Sequence, residues 1–248
     1  MADALTDQSD RSDRSDQSDR TDRASFEIQG RTVHLPVEVR VASSVLATWL
    51  VPTGRVEALI GATGLEPYGP VRGRALVSVG MIRYVDSDLG PYNEFALVAV
   101  VKVDGVVASL IHQLPVNQGF TLEAGRTIWG FPKFLTESTI EADGRGTVTG
   151  TLTHDGDPIL TLRIGKGLVP IPARTTELDT YSFMDGVLRR TPFTMRTSGV
   201  RVRPGGAHLT LGRDHPMAQE IRSLGLGRAL SAMHVTTMGA TFGAATVV

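Results

Sequence analysis

The sequence predicts a mainly β (α+β) fold, an antiparallel sheet or barrel with a few short helices packed outside. Three observations carry this. Short β-branched runs broken by Gly, Pro or Asp fill most of the chain. Asp-Gly turn signals separate apolar runs at Asp104-Gly105 and Asp143-Gly144. Only two or three stretches pattern as helices, with none of the strand–helix alternation that builds a parallel sheet.

The elements follow in order. TVHLPVEVRV (32–41) alternates and carries a mid-run proline, which suits an edge strand. SSVLATWLVP (43–52) reads as a second strand. Thr53 is placed to cap a short helix over GRVEALIGAT, ended by Gly64. RALVSVGMIRYV (74–85) is a strand, and DSDLGPY a loop. The clearest hairpin is 93–116, two apolar runs about Asp104-Gly105. Residues 138–164 repeat the design at Asp143-Gly144 and at His154 to Asp157, and GVRVRPGGAHLTLG (199–212) gives another hairpin. HPMAQEIRSLGLG reads as a helix with Asp214 as N-cap, Pro216 in its first turn, and Gly225 and Gly227 past its end. The apolar tail after it suits a final strand.

Residues 25–248 suffice for one domain with a substantial core. Residues 1–24 stand apart. From Ser9 to Arg23, Ser/Thr-Asp-Arg/Gln repeats every three residues without an apolar side chain, so disorder is expected, as a solvated tail or an electrostatic arm. A net charge of −1 leaves no basic field for nucleic acid or an anionic membrane. The absence of cysteine excludes disulfides, thiolate metal sites and thiol nucleophiles. No signal-peptide core or membrane-length apolar run is present, so a soluble, cytoplasmic protein is expected.

No GxGxxG or GxxxxGK[ST] precedes a helix, and no GxSxG elbow occurs. None of the six histidines has metal-ligand spacing, so no metal is expected. His112 lies in a strand running toward residue 133, as a hydrogen-bonded core histidine or as part of a site. Glu94, in LGPYNEFALVAV, sits at the mouth of an almost wholly apolar strand. With Asn93 pointing outward, it shares an inward face with Ala96, Val98 and Val100. A carboxylate there loses hydration and becomes suited to acid/base work; alternatively it sits at the strand end in water.

Only three of the 25 basic residues are lysines. One of them, Lys133 in GRTIWGFPKFL, shares the parity of Trp129, Phe131 and Leu135, so an extended chain points it into an apolar wall. Two readings stay open: a desolvated amine that spends time neutral and attacks carbonyl carbon, or a lysine with its stem on the aromatics and its head in water.

GRTIWGFPKFL resembles the lysine motif of the acetoacetate decarboxylase family, and LGPYNEF resembles that family's Gly-x-Tyr-x-Glu segment. The ending DHPMAQEIRSLGLGRALSAMHV is similar to its closing helix and strand, and the likeness covers about residues 26–248. The resemblance implies a cone-like antiparallel β-barrel in homo-oligomers, without a bound cofactor. It implies Lys133 as the imine-forming amine and Glu94 as its acid/base partner on a small β-keto acid. Tyr92, Trp129, Phe131, Phe134, His112 and Arg40 are the residues expected around the substrate, Arg40 standing nearest to the family's N-terminal arginine. Two positions depart from the pattern. Phe134 replaces a second lysine, which leaves desolvation alone of the two routes of lysine activation described for acetoacetate decarboxylase itself. A further family glutamate falls at Val79 or Gly80. These departures suit relatives with aldolase or dehydratase chemistry at least as well as a decarboxylase. A barrel that binds a small apolar ligand without turnover is the rival of another class.

Overall fold

The computed structural model describes residues 24–248, so the expected disordered tail over 1–24, Ala24 apart, lies outside the described residues. The chain opens with the hairpin β1 (Ser25–Ile28) and β2 (Arg31–His34) and enters the long strand β3 (Val37–Pro52). Helix α1 (Thr53–Ile60) and the short β4 (Glu66–Pro67) lead to β5 (Arg74–Ser87), β6 (Tyr92–Val103) and β7 (Val106–Val116). Helix α2 (Gly119–Trp129) precedes β8 (Lys133–Leu135). A meander of β9 (Glu137–Ala142), β10 (Val148–His154) and β11 (Asp157–Ile164) comes next, followed by β12 (Val169–Ile171). The hairpin β13 (Arg174–Met184) and β14 (Val187–Pro204), then β15 (Ala207–Leu211), α3 (Pro216–Ser223), β16 (Ser231–Phe242) and β17 (Thr246–Val247) complete the chain. Among the described residues no helix is long and apolar enough to cross a membrane.

Seven strands close into a barrel, in the order β6-β5-β3-β16-β14-β13-β7 with β7 pairing back onto β6. Every pair in the ring is antiparallel except β7–β13. A second sheet, β15-β11-β10-β9, packs on the outside of the wall formed by β3, β5 and β6.

Side-chain alternation decides which of two cores each residue joins. In β6, Phe95, Leu97, Ala99 and Val101 face outward, into a core shared with Leu152, Leu162, Met217 and Ile221 of the second sheet and α3. Tyr92, Glu94, Ala96 and Val98 face the lumen. Burial on both faces is why β6 reads as a near-continuous apolar run.

Several expectations from sequence are corrected. Residues 37–52 form one strand rather than two, and Pro36 stands before it, not within it. The expected hairpin over 199–212 does not form. Gly205 and Gly206 both take positive φ and send β15 across to β11 of the second sheet, while β14 pairs with β13 and β16 in the barrel. A hairpin not foreseen, β13–β14, turns at Asp185-Gly186 with the same paired positive φ values as Asp104-Gly105. Thr53 is the first helical residue of α1 and caps nothing with its side chain.

Helix α3 is capped by His215 instead of Asp214. Nδ1 of His215 accepts the Met217 N–H at 3.2 Å, and the ring stacks on Phe134 at 5.7 Å. Burial, with His154 beside it, holds the His215 imidazole below the usual histidine value. Protonation would abolish the Nδ1 acceptor. With the folded value below the unfolded one, this contribution is complete above the ordinary histidine value and is lost as pH falls through the folded one. Urea unfolding at pH 7 and pH 5 is therefore expected to show a smaller acid loss in His215→Asn, which caps without titrating, than in the wild type. The difference should approach the ~1 kcal/mol of an N-cap. Equal losses in the two proteins would refute the assignment.

Candidate active site

Lys133 opens β8, whose register sets it beside Leu114 of β7. Its side chain is only 3% exposed, and Nζ lies 2.9 Å from Oε2 of Glu94, itself 5% exposed. The other oxygen, Glu94 Oε1, accepts the Tyr84 hydroxyl at 2.9 Å. Tyr84 and Tyr92 are direct cross-strand partners on β5 and β6 and stack at 4.2 Å. The Tyr92 ring centre lies 5.1 Å from Nζ. Burial, then the Glu94 charge and hydrogen bond, push the Tyr84 phenol well above its ordinary value, so it stays a donor to the carboxylate. Burial likewise raises Tyr92.

The backbone around Lys133 is tied to α2. The Gln118 side chain caps this helix on the Thr121 N–H at 2.8 Å. Gly130 ends it at φ +62, with its N–H on the Arg126 carbonyl at 3.0 Å. Only glycine suits that corner, since a Cβ there would also meet Arg189 Nη1 at 2.6 Å. The Arg126 guanidinium then donates Nε–H to the Lys133 carbonyl at 2.7 Å. Midway along the helix, a Cβ on Gly125 would lie 2.5 Å from Lys133 Cδ and 2.6 Å from Cε. The lysine stem therefore runs across a bare patch of helix backbone.

This corrects the extended geometry read from sequence. Trp129 ends a helix, Gly130 to Pro132 turn the chain, and only 133–135 is strand. Lys133 is buried while Leu135, of the same parity, is exposed at the strand's end. Trp129 and Phe131 still line the cavity with Lys133, Glu94 and Tyr92.

Three expected substrate contacts lie elsewhere. In β7, Leu97 faces Gln113 and Val98 faces Ile111, so His112 is the extra residue of a bulge. The bulge turns His112 and Gln113 outward onto Glu220 of α3, with His112 Nε2 at 3.0 Å, and leaves Leu114 facing the lumen. A second irregularity, between Val39 and Ala42, turns Arg40 to solvent, where it pairs with Asp86 and Asp88 at 2.7 and 2.6 Å. Phe134 alternates away from Lys133 and packs against the outer core. Of the two positions for a further acid, Val79 belongs to that outer core, and Gly80 lines the lumen. There, Leu46 Cδ1 comes within 2.8 Å of where a Cβ would be.

The lumen encloses a cavity of about 270 Å³. Among the described residues lining it, one cation, Lys133, and one anion, Glu94, are present in otherwise largely apolar walls. A primary amine in such a place, with a carboxylate at hydrogen-bond distance to take its proton, is equipped to attack a carbonyl group. The described residues contain no group of three or more His, Asp or Glu placed to hold a metal ion. Sequence reasoning gave no role to Tyr84 or Gly125. Tyr84 could have been found from its pairing with Tyr92 once the β5–β6 register was set. Gly125 needed α2, which was not foreseen.

A family model described as acetoacetate decarboxylase matches residues 30–248. An acetoacetate decarboxylase of Bordetella avium is 36% identical over 80 residues, 32% of each protein, so the match spans about a third of that relative's length. Among solved structures, acetoacetate decarboxylase from Legionella pneumophila superposes with a TM-score of 0.67 at 20% identity, covering 86% of this chain and 87% of that one. The enduracididine biosynthesis enzyme MppR, complexed with the condensation product of pyruvate and imidazole 4-carboxaldehyde, gives 0.60 at 16% identity, covering 86% and 88%.

Proposed function

The chain belongs to the acetoacetate decarboxylase family, and from that premise we propose that it is an imine-forming carbon–carbon lyase, with Lys133 as nucleophile and Glu94 as its acid/base partner. The observation that carries this reading is the buried 2.9 Å Lys133–Glu94 pair inside an apolar cavity.

The reaction begins with a proton passing from Nζ to Oε2 of Glu94. The neutral amine adds to the ketone carbon of a β-keto acid. Glu94 returns the proton to the carbinolamine oxygen, which leaves as water, and an iminium remains. The bond to the carboxylate carbon then breaks, its electron pair moves into the iminium to give an enamine, and carbon dioxide leaves. Apolar walls favour this step, because they solvate a carboxylate poorly and carbon dioxide well. Protonation of the enamine carbon and hydrolysis release a ketone and restore Lys133. Glu94 stands near enough to Nζ to serve these transfers, and Tyr84 orients it.

A second reading, aldol-type condensation through the same imine, is favoured by the lack of an acid at Val79 or Gly80 and by the ligand carried by MppR. Incubation with acetoacetate or pyruvate, followed by borohydride and intact mass measurement, is expected to give a covalent adduct that Lys133→Ala does not form. Carbon dioxide release then separates the two reactions. Absence of an adduct with every carbonyl compound would point to a binding barrel without turnover.

A further inference from the structure

Resting on the imine-forming role given to Lys133, we propose that this site takes carbonyl compounds with an extended, uncharged hydrocarbon body: 3-oxo acids R–CO–CH₂–COO⁻ and their ketone products R–CO–CH₃, with R a chain or ring well beyond methyl. Three features of the lumen carry this.

The first is charge. Among the described residues lining the cavity, Lys133 is the one cation, and Glu94 already engages it at 2.9 Å. None of these described lining residues is an arginine or a histidine, since the bulges at Arg40 and His112 turn both outward. A charged group on the substrate far from Lys133 would be buried without a partner, at a heavy desolvation penalty. A hydrocarbon body meets no such penalty.

Shape is the second. Ser109 and Leu114 both line the cavity from β7, and with His112 bulged out of the ladder their separation is four residue steps, about 13 Å at ~3.3 Å per residue. Lys133 is in register with Leu114, so the amine is anchored at one end of this β7 span. With barrel strands tilted by roughly 40°, about 10 Å of that length lies along the axis. Acetoacetate, with a methyl group beyond its ketone, would leave most of it empty.

The third feature is the lining beyond the amine. Trp129, Phe242 and Phe193 pack in a row, with centroids 5.8 and 5.2 Å apart, from the lysine segment to the far wall. Met195 and Met233 also line the lumen and adapt to varied apolar shapes. Leu46, Ser109 and Phe193 line an outward-facing groove as well, so these side chains stand between lumen and exterior. The charges in that groove are mixed, with Arg190 and Asp179 paired at 2.9 Å, and call for no charged tail.

Trapping with a homologous series from acetone to 2-nonanone, using cyanoborohydride and intact mass, tests the proposal on the full chain. The concentration for half-labelling should fall about fourfold per added methylene along the early members, the factor for moving one methylene out of water. Pyruvate should need far more than 2-pentanone. In Leu46→Trp, which narrows the lumen, the fall should stop at a shorter ketone. A concentration that stays flat or rises with length, with labelling still occurring, overturns the hydrocarbon body and leaves the imine intact. Labelling by none of these compounds overturns both. The wild-type series decides the matter even where Leu46→Trp does not fold.

Discussion

Replacing Lys133 with methionine is expected to abolish imine trapping, to lower turnover by at least roughly 10⁴-fold, and to destabilise the protein by about 3–5 kcal/mol. The first two effects follow from removing the proposed nucleophile. The third follows from what stays behind. The Glu94 side chain is buried, and Tyr84 is the hydrogen-bond donor that remains to it. Its carboxylate would be buried without a counter-charge, and breaking one side of such a pair is far more damaging than removing both. Glu94→Gln in the same chain should therefore restore much of the lost stability while turnover stays lost. Glu94→Gln alone leaves the ammonium unpaired and without a proton acceptor, so it too should destabilise the fold and slow trapping by about 10²-fold or more. The double-mutant cycle by urea unfolding reads the coupling. Additive losses would show that the two groups do not interact in solution, and residual wild-type turnover in Lys133→Met would end the catalytic assignment.

How much of this was legible in the sequence depended on whether the signal was local. Glu94 could be placed because strand alternation and the Asp104-Gly105 turn set its face within one hairpin. Helix α2 also leaves a local trace in the sequence. Phe120, Ala124 and Ile128, with Thr121, Gly125 and Trp129, recur at intervals of four, and all six are buried. Two glycines and the Trp-Gly-Phe-Pro run weaken that signal, because glycine and proline favour turns and extended chain over helix. Arg40 and His112 could not be placed by any local pattern. A bulge belongs to the register between two strands, and one extra residue reverses the face of everything beyond it. The departure of β15 for the second sheet is equally non-local, because Gly-Gly permits a tight turn but does not name the partner strand. The buried amine of Lys133 was visible for a different reason. Its apolar neighbours Trp129 and Phe131 do share its cavity, although they reach it from a helix end and a turn rather than from a strand.

Gly125→Ala is expected to lower turnover by about 10²-fold or more while leaving the protein as stable as before, or slightly more so. Gly125 lies within α2 at an ordinary helical φ, so nothing in its backbone requires glycine, and alanine gains up to about 1 kcal/mol of helix propensity there. What glycine permits is the passage of Lys133. The added methyl would stand 2.5 Å from Cδ and 2.6 Å from Cε, closer than any van der Waals contact allows. The obstructed atoms belong to a flexible stem, so the clash is relieved by moving the lysine, not by unfolding the helix. The amine is then displaced by about 1 Å from its 2.9 Å contact but stays beside the Glu94 carboxylate, so the buried charges remain paired. A shift of about 1 Å at a reacting group is enough for a loss of that size. The helix ends at the same Gly130 corner, and Arg126 keeps its grip on the Lys133 carbonyl, so the backbone of β8 stays in place. The measurement pairs a urea midpoint with the rate of cyanoborohydride trapping. Slow trapping at an unchanged or raised midpoint is the expected pattern. Normal trapping would mean that the stem has another route past the helix. A lowered midpoint with proportionate loss of trapping would make Gly125 a packing residue only, and the bare patch of helix would have no part in aiming the amine.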